Sequence, residues 1–292
     1  MKKDCILLDV FTDIPFTGNQ LAVFPSADDL NSDQMQKLAN EINYSETTFI
    51  FNSPDVYADF DIRIFTPRSE VPFAGHPTLG TAHVLLNHLD TKLKNKNSIK
   101  LRTKVGIIPL EKSDGNIWMR QNDPEFFKIF KDKNKIAELI GLIPDDISDD
   151  LPIEEVSTGN TILLIPIRSL SSIRKATGIV NKITDFFSNN KSIAPYLFTL
   201  DTEDPESNVH TRLFAPHFGI IEDPATGSAA GPLTAYLLKY DVFGQKFETQ
   251  NEQGIEIGRP SKIMMRGSFD DGKYIIEIGG KCQLIGQSVF NI

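Results

Sequence analysis

The chain of 292 residues is poor in cysteine, with Cys5 and Cys282 alone near its two ends. Two thiols so placed exclude a disulfide scaffold and any Cys-x-x-Cys site, and they point to a reduced, cytoplasmic setting. Long apolar runs are missing as well. None approaches the roughly 20 residues of a membrane-spanning helix, and the opening Met-Lys-Lys-Asp-Cys-Ile-Leu-Leu-Asp-Val is too short and too acidic for a signal peptide. Positive charge is in deficit: 30 Lys and Arg stand against 39 Asp and Glu, giving a net charge of −9. No basic face is in view for nucleic acid. No Gly-x-Gly-x-x-Gly follows a strand, nothing matches Gly-x-Ser-x-Gly, and no His-x-x-x-His pair suggests a metal. Gly75 and Gly80 have phosphate-loop spacing, but Thr81 and Ala82 stand where Lys and Ser or Thr are needed. What remains is acid–base work on a small molecule, with no cofactor and no metal.

What is present centres on residues 222–232, Glu-Asp-Pro-Ala-Thr-Gly-Ser-Ala-Ala-Gly-Pro. Arg212-Leu213-Phe214-Ala215-Pro216 upstream reads as a short strand, and Leu233, Tyr236, Leu237 and Tyr240 downstream recur at helical spacing. A turn of small residues that opens a helix lets backbone amides converge, and the helix start adds partial positive charge. Such a corner suits an anion. The same pattern occurs earlier: Arg63-Ile64-Phe65-Thr66-Pro67, then Glu70, then Phe73-Ala74-Gly75-His76-Pro77-Thr78-Leu79-Gly80, then Ala82, Val84, Leu85 and Leu86. Arg63 and Arg212 are 149 residues apart, about half the chain. The offset predicts a duplicated module with two helix-opening corners that could face one cleft.

Taken in order, the spacing predicts strands over 6–11 and 21–24, then a helix started by Asn31 or Ser32 with Met35, Leu38, Ala39 and Ile42 on one stripe. That helix ends near Asn43, strands follow over 46–51 and 59–65, and the first corner leads into its apolar helix. Strands over 99–103, 106–110 and 117–121 come next, after a lysine-rich solvated loop at 91–97. Residues 124–134 read as a passage into the second half, followed by a helix over 134–141, strands over 153–158 and 161–167, a helix over 179–187 and a strand over 194–200. Beyond the second corner, strands are expected near 245–249, 261–266, 272–278 and 283–290. The order of elements repeats, so the fold class is α+β: two similar halves, each wrapping curved sheet around a central helix. The boundaries are residues 1–120 with about 279–292 for the first half, and 121–278 for the second.

Three carboxylates, Glu46, Glu70 and Asp223, sit at predicted strand ends or turns rather than in charge runs. In a partly apolar pocket a carboxylate is pushed toward neutrality and can take a proton from carbon. On local pattern alone, Glu46 also reads as an exposed strand-end charge and Asp223 as a turn former. His76, inside the first corner, could donate a hydrogen bond or relay a proton. His83, His88, His210 and His217 read as surface or packing residues.

Five separated blocks resemble the phenazine-biosynthesis PhzF family. They are Asp9-Val10-Phe11-Thr12 with Pro15 and Gly18-Asn19, residues 43–49, Phe73-Ala74-Gly75-His76-Pro77 with Gly80, residues 223–231, and Gly254 with Gly258-Arg259-Pro260-Ser261. The resemblance covers essentially the whole chain. It implies the diaminopimelate-epimerase-like fold, a homodimer, and isomerisation of a small carboxylate such as trans-2,3-dihydro-3-hydroxyanthranilate without a cofactor. Carried over by motif, Glu46 resembles the catalytic acid–base, with His76 and Asp223 as its partners. Gly75, Gly227 and Ser228 resemble the turn positions that hold the substrate's polar groups, and Asn19 resembles a substrate-facing asparagine. Related two-base epimerases place a cysteine at each corner; here Ala74 and Thr226 stand there, which sets thiol racemisation aside.

Overall fold

The computed structural model describes residues 1–89, 93, 96–188 and 194–292. Two compact units emerge, Met1–Arg120 with Gly279–Ile292, and Gln121–Ile278. Among the described residues no helix is long and apolar enough to cross a membrane.

In the first unit the elements run β1 (Lys2–Val10), β2 (Asn19–Phe24), α1 (Ser32–Ile42), β3 (Glu46–Asn52), β4 (Phe60–Phe65), β5 (Glu70–Val71), α2 (Gly75–Asn87), β6 (Ser98–Thr103), β7 (Gly106–Ser113) and β8 (Asn116–Arg120). The C-terminal strand Cys282–Asn291, β18 below, pairs antiparallel with β1. From there the sheet runs β1 antiparallel to β2, β2 parallel to β3, β3 antiparallel to β4, β4 parallel to β6, β6 antiparallel to β7, and β7 antiparallel to β8. This curved sheet wraps α2, on which only His83 and Asn87 escape burial. A helix apolar all round must be enclosed, and each buried Leu or Val contributes about 1.5–3 kcal/mol. Gly80 permits the approach: a Cβ there would lie 2.5 Å from Leu21 Cδ2 and 2.8 Å from Val10 Cγ2.

Helix α1 covers the other face of β2 and β3, where Met35, Leu38 and Ala39 join Phe24, Phe49 and Phe65. Its ends follow local chemistry. Asn31 accepts from the Gln34 amide and Gln34 returns a bond to the Asn31 amide, both at 3.0 Å, a capping box. Asn43 closes the helix in the left-handed region at φ 57°.

The second unit continues with β9 (Glu125–Phe130), α3 (Lys133–Ile140), β10 (Ile153–Ser157), β11 (Thr161–Pro166), α4 (Leu170–Ile173), α5 (Val180–Phe187), β12 (Ala194–Thr199), β13 (Val209–Ala215), β14 (Ile220–Asp223), α6 (Gly227–Lys239), β15 (Lys246–Gln253), β16 (Ser261–Asp270) and β17 (Lys273–Gly280). Its pairings repeat the first unit's: β9 antiparallel to β10, β10 antiparallel to β11, β11 parallel to β12, β12 antiparallel to β13, β13 parallel to β15, β15 antiparallel to β16. Helix α6 is the enclosed counterpart of α2, while α3 and α5 cover the far face of β11 and β12 through Ile136, Ile140, Ile183 and Phe187. Strand β11 is accordingly a continuous apolar run, as expected of a strand covered on both faces.

Two expectations need amendment. Residues 124–134 are not a passage but contain edge strand β9, and β15 runs on to Gln253 rather than stopping near 249. The expected solvated loop at 91–97 falls mostly outside the described residues.

Candidate active site

In the first unit, the tight turn from α1 into β3 places Glu46 as the first residue of the strand. It shares the strand face of Thr48 and Ile50, opposite to Phe49, and so points toward α2 rather than α1. Its side chain is 13% exposed, and Oε2 lies 3.5 Å from His76 Nε2. That separation is long for a hydrogen bond, and Oε2 makes none among the described residues. Burial pushes the Glu46 carboxyl up to about 7, with the Ser45 hydroxyl pulling the other way.

His76 is the second residue of α2. Ala74 precedes the helix in extended backbone (φ −149°) and offers no side-chain cap, so the amides of Gly75 and His76 form its leading edge; Pro77, next in line, has no N–H to contribute. Asn19 is buried at the start of β2, and its Oδ1 accepts from Ser45 Oγ at 3.1 Å. It is delivered there by Gly18 at φ +70°, where an added Cβ would lie 2.4 Å from the Val10 carbonyl oxygen. Asn19, Ser45, Glu46 and His76 thus form one linked set, beside Gly75.

Asp223, Gly227 and Ser228 belong to the second unit. Asp223 ends β14 and is buried; Thr226 Oγ1 donates to its Oδ2. Gly227 and Ser228 open α6, whose preceding residue Thr226 makes no side-chain cap bond. Beneath the turn lies Gln253, fully buried at the end of β15. Sequence reasoning passed over it because Gln250-Asn251-Glu252-Gln253-Gly254 is uniformly polar and reads as loop. No periodicity could have flagged it.

Glu70 leaves the acid–base candidates. Arg63 holds it with two bonds of 2.8 Å and Lys104 with a third of 2.7 Å, and the Arg63 guanidinium, foremost among these, holds its carboxyl below the usual range. Arg212 grips Glu222 in the same bidentate way at 2.8 and 2.7 Å. In each repeat, therefore, the arginine and the acid before the corner brace the strand pair that carries it. Of the two readings for His210, surface or packing, the structure gives a fully buried residue, 2.7 Å from Glu252 and 3.0 Å from Glu256.

Two hollows lie elsewhere. One of about 460 Å³ is lined by Lys246, Glu248, Arg266 and Glu277 among others, and one of about 420 Å³ by Asp61, Arg63, Arg102 and Lys104. Neither includes a candidate residue, and Arg266 and Lys104 are already paired with Glu248 and Glu70, each at 2.7 Å.

The profile of the phenazine biosynthesis-like (PhzC-PhzF) family matches residues 8–287. The chain belongs to this family. It is 35% identical over 268 residues to the trans-2,3-dihydro-3-hydroxyanthranilate isomerase of Pseudomonas aeruginosa, covering 89% of each chain. Among solved structures, a Bacillus anthracis phenazine biosynthesis protein of the PhzF family superposes with a TM-score of 0.92 at 30% identity, over 100% of both chains. A hydroxyproline epimerase from Agrobacterium vitis shares the fold alone, with a TM-score of 0.63 at 11% identity over 99% of this chain and 92% of that one. The architecture is the diaminopimelate-epimerase-like one, and the chain is an isomerase of the PhzF family.

Proposed function

We propose that this PhzF-family isomerase moves a proton between carbons of a small carboxylate-bearing, cyclic amino acid-like substrate such as trans-2,3-dihydro-3-hydroxyanthranilate, with Glu46 as the shuttle. The observation that carries the reading is a carboxyl pushed up to about 7 by burial, 3.5 Å from a histidine that opens a helix. A group titrating near the working pH can be both base and acid within one turnover. As carboxylate, Glu46 removes a proton from carbon and becomes the acid; it then returns the proton to a second carbon and is regenerated. The exchange is redox-neutral, so the reaction as proposed uses no cofactor.

His76 faces Oε2 and serves to stabilise the charge that appears and disappears there, while the amides at Gly75 suit a carboxylate or developing oxyanion. Asn19, oriented by Ser45, supplies a polar contact to substrate. Asp223, Gly227 and Ser228 are assigned the matching duty in their own corner: Asp223 as a proton-handling partner, the two helix-opening residues as anion holders. The enzyme is proposed to act as a homodimer in the cytoplasm, which light scattering and cell fractionation can test. The decisive experiment for the chemistry is Glu46→Gln assayed on trans-2,3-dihydro-3-hydroxyanthranilate. Loss of ~10²- to 10⁴-fold in kcat is expected of a missing general acid–base; undiminished turnover would refute the assignment. If wild type ignores this compound but exchanges the Cα proton of another amino or hydroxy acid, the substrate class changes while the role of Glu46 is tested in the same way.

A further inference from the structure

We infer that Gln253 is a positioning residue of the second corner: through the Thr226 hydroxyl it dictates which oxygen of Asp223 can hold a proton. The inference rests on the reading of Asp223 as a proton-handling group.

Gly254, at φ +79°, lets the end of β15 press against the corner, where an added Cβ would lie 2.5 Å from the Pro224 carbonyl oxygen. This brings the Gln253 amide beneath the turn, fully buried. Its orientation is then forced by two main-chain groups that have no choice of role. The Thr226 N–H can only donate, and it meets Gln253 Oε1 at 3.2 Å. The Asp223 carbonyl can only accept, and it meets Gln253 Nε2 at 2.8 Å. Tyr196 Oη also lies within hydrogen-bonding distance of Oε1, at 3.0 Å.

The second N–H of Nε2 points at Thr226 Oγ1, 2.9 Å away. A threonine hydroxyl can turn either way, but here it must accept from the amide, so its single hydrogen is committed to its other partner, Asp223 Oδ2. Oδ2 is thereby fixed as an acceptor, and a proton carried by Asp223 sits on Oδ1. One more feature fits this use of the side chain: Thr226 occupies the residue before α6, where threonine ordinarily caps the helix, yet it makes no cap bond. The first corner has Ala74 at this place and carries no such device.

The test is a double-mutant cycle. Gln253→Met keeps the volume and removes the directing amide; Thr226→Val removes the hydroxyl. Each is expected to lower kcat on trans-2,3-dihydro-3-hydroxyanthranilate by about tenfold with KM little changed, and the pair together no further than either alone, since they break one chain of bonds. Thr226→Ser, which restores a hydroxyl, is expected to recover most of the loss. Independently of activity, the carboxyl ¹³C signal of Asp223 should titrate at higher pH in Gln253→Met, because the hydroxyl is released to turn away from the carboxylate. If Gln253→Met does not fold, Gln253→Glu, which keeps the acceptor and loses the donor, takes its place. Folded Gln253 variants with wild-type kcat and an unmoved Asp223 signal overturn the inference, as do fully additive losses in the cycle. Retention of turnover by Glu46→Gln would overturn the proposed reaction instead, and the Asp223 titration would still decide the role of Gln253.

Discussion

The carboxyl that makes Glu46 useful should make the protein less stable, and the cost can be worked out. Glu46 titrates near 4.5 in the unfolded chain and about 7 in the fold. A raised carboxyl binds more protons folded than unfolded, so its contribution is fully present below the unfolded value and is lost as pH rises through the folded one. At 1.36 kcal/mol per unit, the shift amounts to about 3 kcal/mol above pH 8 and about 1 kcal/mol at pH 5. Glu46→Gln removes the titration and keeps the shape. It is therefore expected to unfold in urea with a free energy higher than wild type by about 3 kcal/mol at pH 8, shrinking to about 1 kcal/mol at pH 5. The assay is paired urea melts at the two pH values, read by fluorescence and far-UV circular dichroism. A difference between variant and wild type that does not grow with pH would show that Glu46 titrates normally, and the basis for its role would be gone.

Other outcomes follow from the same geometry. The kcat/KM of wild type should rise with pH through a midpoint near 7 as Glu46 ionises; a flat profile from pH 5 to 9 would contradict it. Gly18→Ala puts a Cβ 2.4 Å from a carbonyl oxygen at φ +70°, so a loss of at least about 2 kcal/mol in stability is expected, with a wild-type melt as the contrary result. Arg212→Met strands Glu222 in a buried setting, takes the same guanidinium from Glu256 and should cost about 3–5 kcal/mol, against no change in the melting transition if the brace is idle. His210 carries a definite pH sign: burial opposes its protonation, but Glu252 and Glu256 outweigh that and raise it above 6.5. Its stabilisation is present below that value and lost as pH rises through the folded one, so His210→Asn should be more damaging at pH 6 than at pH 10.

Much of this was legible in the chain because local chemistry and global fold agree in the first unit. Asn31 and Gln34 cap α1, Asn43 ends it, and Glu46 follows at once. The repeat from Arg63 to Gly80 and from Arg212 to Gly231 announced two enclosed helices, since a stripe-free apolar helix has to be surrounded. Polar burial was less legible. Glu70 and Glu46 are both strand-end carboxylates in sequence, and only the placement of Arg63 and Lys104 around one of them, 2.7 to 2.8 Å away, separates their chemistry. His210 and Gln253 lie in polar stretches, and nothing in residue order tells a buried amide or imidazole from a solvated one; their partners come from other strands. Strand β9 escaped notice because Phe126, Phe127 and Lys128 do not alternate cleanly, and an edge strand half open to water is not required to do so.

Proton movement through one glutamate is what the proposed chemistry depends on. Trans-2,3-dihydro-3-hydroxyanthranilate mixed with the enzyme in heavy water and followed by NMR tests this most directly. Wild type is expected to isomerise the compound, with deuterium at the receiving carbon measuring how far the Glu46 proton exchanges with solvent before it is delivered, and Glu46→Gln to isomerise and label it at no more than about a hundredth of that rate. Equal isomerisation and labelling by the two proteins would contradict it.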